Sequence, residues 1–119
     1  MSLFYEFGFN IKRGREVAFQ EWTAKNDAAL KASAPTGVEY LGTYIVAMSS
    51  EKDLGEYRVL WRLASFAAFD ALDEAALDEK SDWGRLNREV TGFMDLPIGA
   101  EGTFSIYRPL IGAPMWEIS

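Results

Sequence analysis

The 119-residue chain contains no cysteine and no histidine. Without cysteine it can form no disulfide, thiolate nucleophile, zinc–thiolate site or iron–sulfur cluster. Without histidine it lacks the commonest general base and the commonest ligand of transition metals and haem. Any acid–base chemistry must therefore use Asp, Glu, Tyr or Lys, and we expect neither a metal nor a cofactor.

Positive charge is also scarce, since 12 Lys and Arg against 18 Asp and Glu give a net charge of -6. Binding to nucleic acid and to anionic membrane surfaces both depend on clustered cations, so we expect neither partner. The sequence shows no stretch of membrane-spanning length and no basic segment followed by an apolar one at its N-terminus. The cytoplasm is therefore the default expectation for its location.

Large side chains, in contrast, are abundant, and their spacing predicts the secondary structure. Residues 2–10 alternate in polarity as a strand does, and the period becomes helical from residue 15. The predicted elements are strand 2–10, helix 15–33, strand 38–48, strand 56–63, helix 65–77, a helix capped by Ser81 or Asp82 that carries apolar residues to Met94, and strand 103–108.

This β-α-β-β-α-α-β order predicts an α+β fold of the ferredoxin-like, split β-α-β kind. The expected architecture is a four-stranded antiparallel sheet with the helices on one face. We expect residues 1–108 to form a single domain. The remaining segment, 109–119, is expected to be a tail that docks on its own sheet edge or on a partner.

The first and third strands, expected to be central neighbours, carry apolar residues on both faces. Phe4 lies opposite Tyr5, and Leu60 lies opposite Trp61. Helices cover only one face of such a sheet, so the second face is expected to pack against a second copy of the chain. Glu6 on that face is expected to pair with an arginine of the neighbouring strand. The sequence thus predicts a homodimer joined sheet to sheet.

Three segments carry a resemblance to a known family: GRE at 14–16, FQEW at 19–22 and YLGTY at 40–44. With them the chain resembles the dimeric α/β-barrel group of ferredoxin-like proteins, in particular its NIPSNAP-like and antibiotic-monooxygenase-like branches. The resemblance implies a cavity between each sheet and its own helices. In haem-degrading members an Asn on the first strand, a Trp and a His do the work. Asn10 and Trp61 echo the first two, but the chain has no histidine for the third.

Two polar residues interrupt the apolar stripes of the predicted helices, and both are candidate catalytic residues. Asn26 follows Trp22 by one turn and either orients a ligand or bonds the backbone of a neighbouring strand or loop. Asp73 follows Phe69 by one turn. It is either a desolvated base with a raised pKa or a solvated residue at the edge of the stripe.

Arg58 and Arg62 share one face of the third strand, where they can hold an anionic group or pair with Glu6 or Glu39. The abundance of tyrosine and tryptophan, five and four residues, favours an aromatic pocket, because the polar atoms of these side chains need partners. The predicted ligand-binding residues are Trp22, Asn26, Tyr44, Trp61, Arg62 and Trp83.

Two functions agree with these features. The first is a homodimeric domain that binds a small aromatic or apolar molecule in a helix–sheet cavity. The alternative is a cofactor-independent monooxygenase acting on an aromatic or polyketide-like substrate, which rests on the resemblance alone. The residues leave open whether the protein is an enzyme.

Overall fold

The computed structural model of the protein describes residues 2–50, 55–95 and 103–111. Within them the predicted elements are confirmed, each to within a few residues. The elements are β1 (Leu3–Phe9), α1 (Glu16–Ser33), β2 (Val38–Ile45), β3 (Tyr57–Leu63), α2 (Phe66–Leu77), α3 (Asp82–Phe93) and β4 (Thr103–Tyr107).

The strands form one antiparallel sheet in the order β2-β3-β1-β4, so β1 and β3 are its central pair. Tyr5 of β1 lies opposite Trp61 of β3 on one side and Ile106 of β4 on the other. This order and the three helices confirm the predicted α+β, ferredoxin-like fold.

The hydrophobic core lies between the helices and the sheet face that carries the odd-numbered residues of β1 and β3. Because side chains alternate along a strand, these positions all point the same way. Helices α1 and α2 pack on the sheet, and α3 packs against α1 and α2. Leu3 of β1, Leu63 of β3 and Leu86 of α3 are wholly buried, and Trp83 of α3 is only 2% exposed.

Serine side chains cap the N-termini of the two later helices, α2 and α3. Ser65 Oγ accepts a hydrogen bond from the backbone N–H of Ala68 at 3.3 Å. Ser81 Oγ accepts one from the backbone N–H of Gly84 at 3.0 Å. Each bond satisfies a backbone donor that has no partner within the first turn of a helix.

A bulge in β2 changes which way its side chains point. Tyr40 pairs with Trp61, but Gly42 pairs with Leu60, so Leu41 is an extra residue on the β2 side. Gly42 has a φ of 152°, a backbone conformation that would be strained for any residue with a side chain. Because one extra residue reverses the alternation, Tyr44 lies on the sheet face opposite to Tyr40.

The sheet face turned away from the helices, called the open face below, carries paired charges among aromatic residues. A Glu6 carboxylate oxygen lies 3.6 Å from Arg58 Nε, and Glu39 lies 2.8 Å from Arg62. The predicted pairing of Glu6 with an arginine of β3 is therefore confirmed. The side chains of the open face are those of Phe4, Glu6, Glu39, Tyr44, Arg58, Leu60, Arg62, Thr103, Ser105 and Tyr107.

After β4 the described chain continues only to residue 111, and its last two side chains, Leu110 and Ile111, are exposed. The rest of the tail, 112–119, lies outside the described residues, so its docking and the domain division at 108 stay predictions. In the described part of the chain, no helix combines the length and apolar composition needed to cross a membrane.

Candidate functional site

A cavity of about 480 Å³ lies between the helix-facing side of the sheet and the three helices. Pockets of about 300–1,000 Å³ with mainly apolar walls are the usual sites of small-molecule binding. Each helix contributes to the wall: Phe19 and Leu30 from α1, Leu72 and Asp73 from α2, and Trp83 from α3. The cavity thus extends from the core, between the sheet and the helices, to a side that is open to solvent.

Four aromatic rings of the cavity wall are in mutual contact and are called the aromatic cluster: Tyr5, Trp61, Phe69 and Phe104. The Tyr5 ring is central, with its centroid 4.9 Å from that of Trp61, 5.1 Å from that of Phe69 and 6.1 Å from that of Phe104. Such offset and tilted arrangements stabilise ring pairs beyond the area that they bury. The cluster presents an aromatic surface to the cavity.

The two tyrosines of the cavity are neutral at physiological pH. Burial raises the pKa of Tyr5 to about 12, with a smaller contribution from the Asp73 charge. Burial likewise raises the pKa of Tyr40 to about 12. The Tyr40 hydroxyl lies 2.5 Å from Thr43 Oγ1, and either oxygen can donate. These hydroxyls can therefore act as hydrogen-bonding groups, whereas neither is poised to act as a base.

Asp73 lies at the rim of the cavity, since it lines the space and its side chain is also exposed to solvent. Burial of part of the group raises the pKa of the Asp73 carboxyl, and the nearby charge of Asp70 raises it further. Among the described residues no Lys or Arg forms an ion pair with Asp73. The described cavity wall thus has an acidic group without a matching cation.

Polar side chains of α3 also line the cavity, and each donates a hydrogen bond within the helix. Asn87 Nδ2 donates to the carbonyl of Trp83 at 2.7 Å. The Thr91 hydroxyl donates to the carbonyl of Asn87 at 2.8 Å. These bonds fix the two side chains against their own helix.

Three indole nitrogens are buried without a hydrogen-bond partner among the described residues: those of Trp22, Trp61 and Trp83. Buried N–H groups are normally paired, because an unpaired one forfeits its bonds to water. Trp61 and Trp83 belong to the cavity wall. Their indole nitrogens have almost no accessible surface, so they do not face the open space of the cavity.

The structure brings three of the predicted site residues together at this cavity: Trp61, Asp73 and Trp83. Trp22 lies beside it, with its ring centroid 6.3 Å from that of Phe19 and 6.2 Å from that of Phe93. Asn26 is not part of the described wall. Its amide donates to the carbonyl of Trp22 at 2.9 Å, within its own helix rather than to a neighbouring strand or loop.

The other two predicted ligand contacts, Tyr44 and Arg62, lie on the open face. Arg62 pairs with Glu39 and lies over the Phe4 ring at 5.4 Å from its centroid. Both side chains are separated from the cavity by the sheet itself. The binding roles of these two residues stay predictions.

Several wall residues were absent from the predicted site, including Phe69, Asn87 and Phe104. Asn87 had a signal in the sequence: it follows Trp83 by four residues, as Asn26 follows Trp22. In both pairs the asparagine bonds to the tryptophan carbonyl one turn earlier. Both helices thus contain the same hydrogen bond from an asparagine to a tryptophan carbonyl, but only Trp83 and Asn87 line the cavity.

The described wall supplies aromatic surface, two neutral tyrosine hydroxyls and one carboxyl group. Across the described ranges, no group of three or more Asp or Glu residues is arranged to hold a metal ion.

Comparison with known proteins supports the fold. No family model matches the sequence, and no curated protein matches it either. The structure is similar to that of a NIPSNAP family protein from Agrobacterium tumefaciens, with a TM-score of 0.64, 13% sequence identity, and coverage of 97% of this chain and 99% of that one. It is also similar to an uncharacterised NIPSNAP-like domain protein from Burkholderia xenovorans, with a TM-score of 0.60, 13% identity, and coverage of 95% and 89%.

These likenesses define the class of the fold as ferredoxin-like α+β. Within that class the chain has a NIPSNAP-like fold, which confirms that part of the resemblance seen in the sequence. At 13% identity the likeness extends to the fold and not to an activity.

Proposed function

We propose that the protein binds a small aromatic or apolar molecule in its helix–sheet cavity. The observation that carries this proposal is the cavity of about 480 Å³, which is lined mainly by aromatic and aliphatic side chains and is partly open to solvent. Protein interiors are normally packed as densely as organic crystals, so side chains around a space of this size forfeit dispersion contacts. An apolar ligand restores these contacts and leaves water at the same time.

A ligand that fills the cavity is expected to stabilise the folded protein. At a concentration about 100 times its Kd, stabilisation reaches about 2.7 kcal/mol, which corresponds to a rise of several degrees in Tm. The measurement is thermal unfolding with 3-ethylindole as the neutral aromatic probe. Replacing Ala76, whose side chain lines the cavity, by Phe is expected to abolish the rise because the new ring occupies the space.

The matched control for that variant is Ala67→Phe on the same helix. Ala67 is exposed and lies outside the described wall, so this ring should leave the ligand-induced rise in Tm unchanged. Circular dichroism shows whether both variants are folded. An equal response of both variants to the probe would place its binding outside the cavity and contradict the proposal.

We also infer that the protein acts as a homodimer joined through the open face. Three aromatic residues of this face are about half exposed: Phe4 (44%), Tyr44 (51%) and Tyr107 (50%). An exposed apolar surface rimmed by polar groups is typical of an interaction site. This inference concerns assembly and is independent of what the cavity binds.

Charge supports a second copy as the occupant of the open face. Its two glutamates and two arginines, which form the pairs Glu6–Arg58 and Glu39–Arg62, leave the face neutral overall. The whole chain carries a net charge of -6, so two copies repel each other least where their contacting surfaces are neutral. Light scattering at micromolar concentration should give twice the chain mass of 13.4 kDa. A purely monomeric mass would contradict the inference.

A further inference from the structure

The charge of the cavity wall indicates which molecules suit it. Asp73 is the only charged side chain among the described wall residues, which include no Lys and no Arg. It also has no ion-pair partner among the described residues. A ligand entering this space therefore meets a negative charge that no described Lys or Arg neutralises.

Asp73 is adjacent to the aromatic cluster. It follows Phe69 by four residues on α2, which places the two side chains one above the other on the same helix face. The Phe69 ring lies over Tyr5, with centroids 5.1 Å apart and planes 28° from parallel. The Asp73 charge also contributes to the raised pKa of Tyr5, as expected for groups within electrostatic reach. The carboxylate and the rings thus border the same part of the cavity.

Three described wall residues are solvent-exposed, Asp73, Thr91 and Phe104, and two of them, Asp73 and Phe104, mark the opening beside the aromatic cluster. Asp73 is exposed on α2, and Phe104 is 59% exposed on β4. The centroid of the Phe69 ring lies 6.3 Å from that of Phe104. A molecule inserted through this opening can bury its apolar part against the cluster while its polar end stays near Asp73.

We propose that the cavity takes an aromatic amine, with the ring system against the aromatic cluster and the protonated nitrogen beside Asp73. The faces of aromatic rings attract cations, and a neighbouring carboxylate adds a charge-assisted hydrogen bond. This inference rests on the proposed function, because it specifies the ligand class of the same cavity.

The same arrangement disfavours aromatic acids. A ligand carboxylate at the rim would face Asp73 without a cation to neutralise either group, and like charges at close range repel. Neutral aromatic molecules gain the apolar contacts but not the charged one. The expected order of affinity is therefore amine, then neutral analogue, then acid.

Three probes that share the indole ring test this order: tryptamine, 3-ethylindole and indole-3-propionate. Isothermal titration at pH 7 gives their Kd values for the wild-type protein. We expect the Kd of tryptamine to be about tenfold lower than that of 3-ethylindole. Indole-3-propionate should bind more weakly than either.

The role of Asp73 is tested with Asp73→Asn, which keeps the shape of the side chain and removes its charge. This variant should raise the Kd of tryptamine about tenfold and leave that of 3-ethylindole unchanged. The matched control is Glu74→Gln. Glu74 is the next residue on α2, is exposed, and lies outside the described wall, so its variant loses the same charge at another place.

The outcomes separate this inference from the proposed function. If 3-ethylindole binds but tryptamine binds no better, the ligand-class inference is overturned and cavity binding is retained. An equal loss of tryptamine affinity in Asp73→Asn and Glu74→Gln would likewise overturn it, because overall charge would then be the cause. If none of the three probes binds the folded wild-type protein, both proposals fail.

Discussion

Replacing Gly84 by Ala is expected to lower the free energy of unfolding by about 2–4 kcal/mol. Gly84 lies in the first turn of α3, where this helix crosses the end of α2. A β-carbon at this position would overlap the carbonyl oxygen of Asp78 and lie 2.9 Å from its carbonyl carbon and 3.1 Å from the Ala75 oxygen. These are backbone atoms, so no side-chain rotation can relieve the overlap.

The clash also breaks the connection between the two helices. The Asp78 carbonyl accepts the Ser81 hydroxyl at 3.0 Å, and Ser81 Oγ in turn accepts the backbone N–H of Gly84 at 3.0 Å. Moving the Asp78 carbonyl aside therefore costs the cap of α3 as well as close packing. Because α3 carries Trp83 and other wall residues, ligand-induced stabilisation should also decrease.

Gly92→Ala is the matched control, because it makes the same change in the same helix. A β-carbon at Gly92 meets nothing within 4 Å, and Ala forms helices better than Gly by about 0.5–1 kcal/mol. The two variants should therefore shift the urea midpoint in opposite directions. If Gly84→Ala unfolds at the same urea concentration as the wild type, the close contact with Asp78 does not exist.

The alternation of the central strands was enough to predict most of the fold. In β1, Tyr5 is buried and its neighbours Phe4 and Glu6 are not, as period-two polarity requires. The helix starts were also readable, because Ser65 and Ser81 are residue types that accept backbone N–H groups. These features depend only on residues that are close together in the chain, so they can be predicted from the sequence.

The orientation of side chains in β2 could not be predicted from local patterns alone. Strict alternation would put Tyr40 and Tyr44 on one face, but the extra residue at Leu41 separates them. A glycine inside a strand is a known signal of a bulge, and Gly42 provided it. The signal does not say which neighbour is the extra one, because hydrogen bonding to β3 decides that.

The site was only partly predictable for a similar reason. Asp73 stood out because it interrupts an apolar stripe, and it does border the cavity. Asn26 stood out in the same way and Trp22 as a large aromatic residue, yet Trp22 packs toward Phe93 of α3. How α3 packs against α1 is a tertiary property, and no spacing within α1 encodes it.

Replacing Leu60 by Asp is expected to convert the proposed dimer into a monomer. Leu60 lies at the middle of the open face on β3, opposite Glu6 of β1 and Gly42 of β2. An unpaired charge buried in an interface costs about 3–5 kcal/mol, which raises the dimer Kd at least about 100-fold. The nearby Glu6 adds repulsion, since like charges on adjacent strands destabilise each other. Sedimentation equilibrium over a range of concentrations measures this change.

The control is Val17→Asp, which also replaces an exposed aliphatic residue by a negative charge. Val17 is 68% exposed on α1, away from the open face, so its variant should sediment like the wild type. Each protomer contains its own cavity between its sheet and its helices, so the Leu60→Asp monomer should still bind 3-ethylindole. A Leu60→Asp protein that remains dimeric would show that the copies associate through another surface. The neutral, aromatic open face would then need a different explanation.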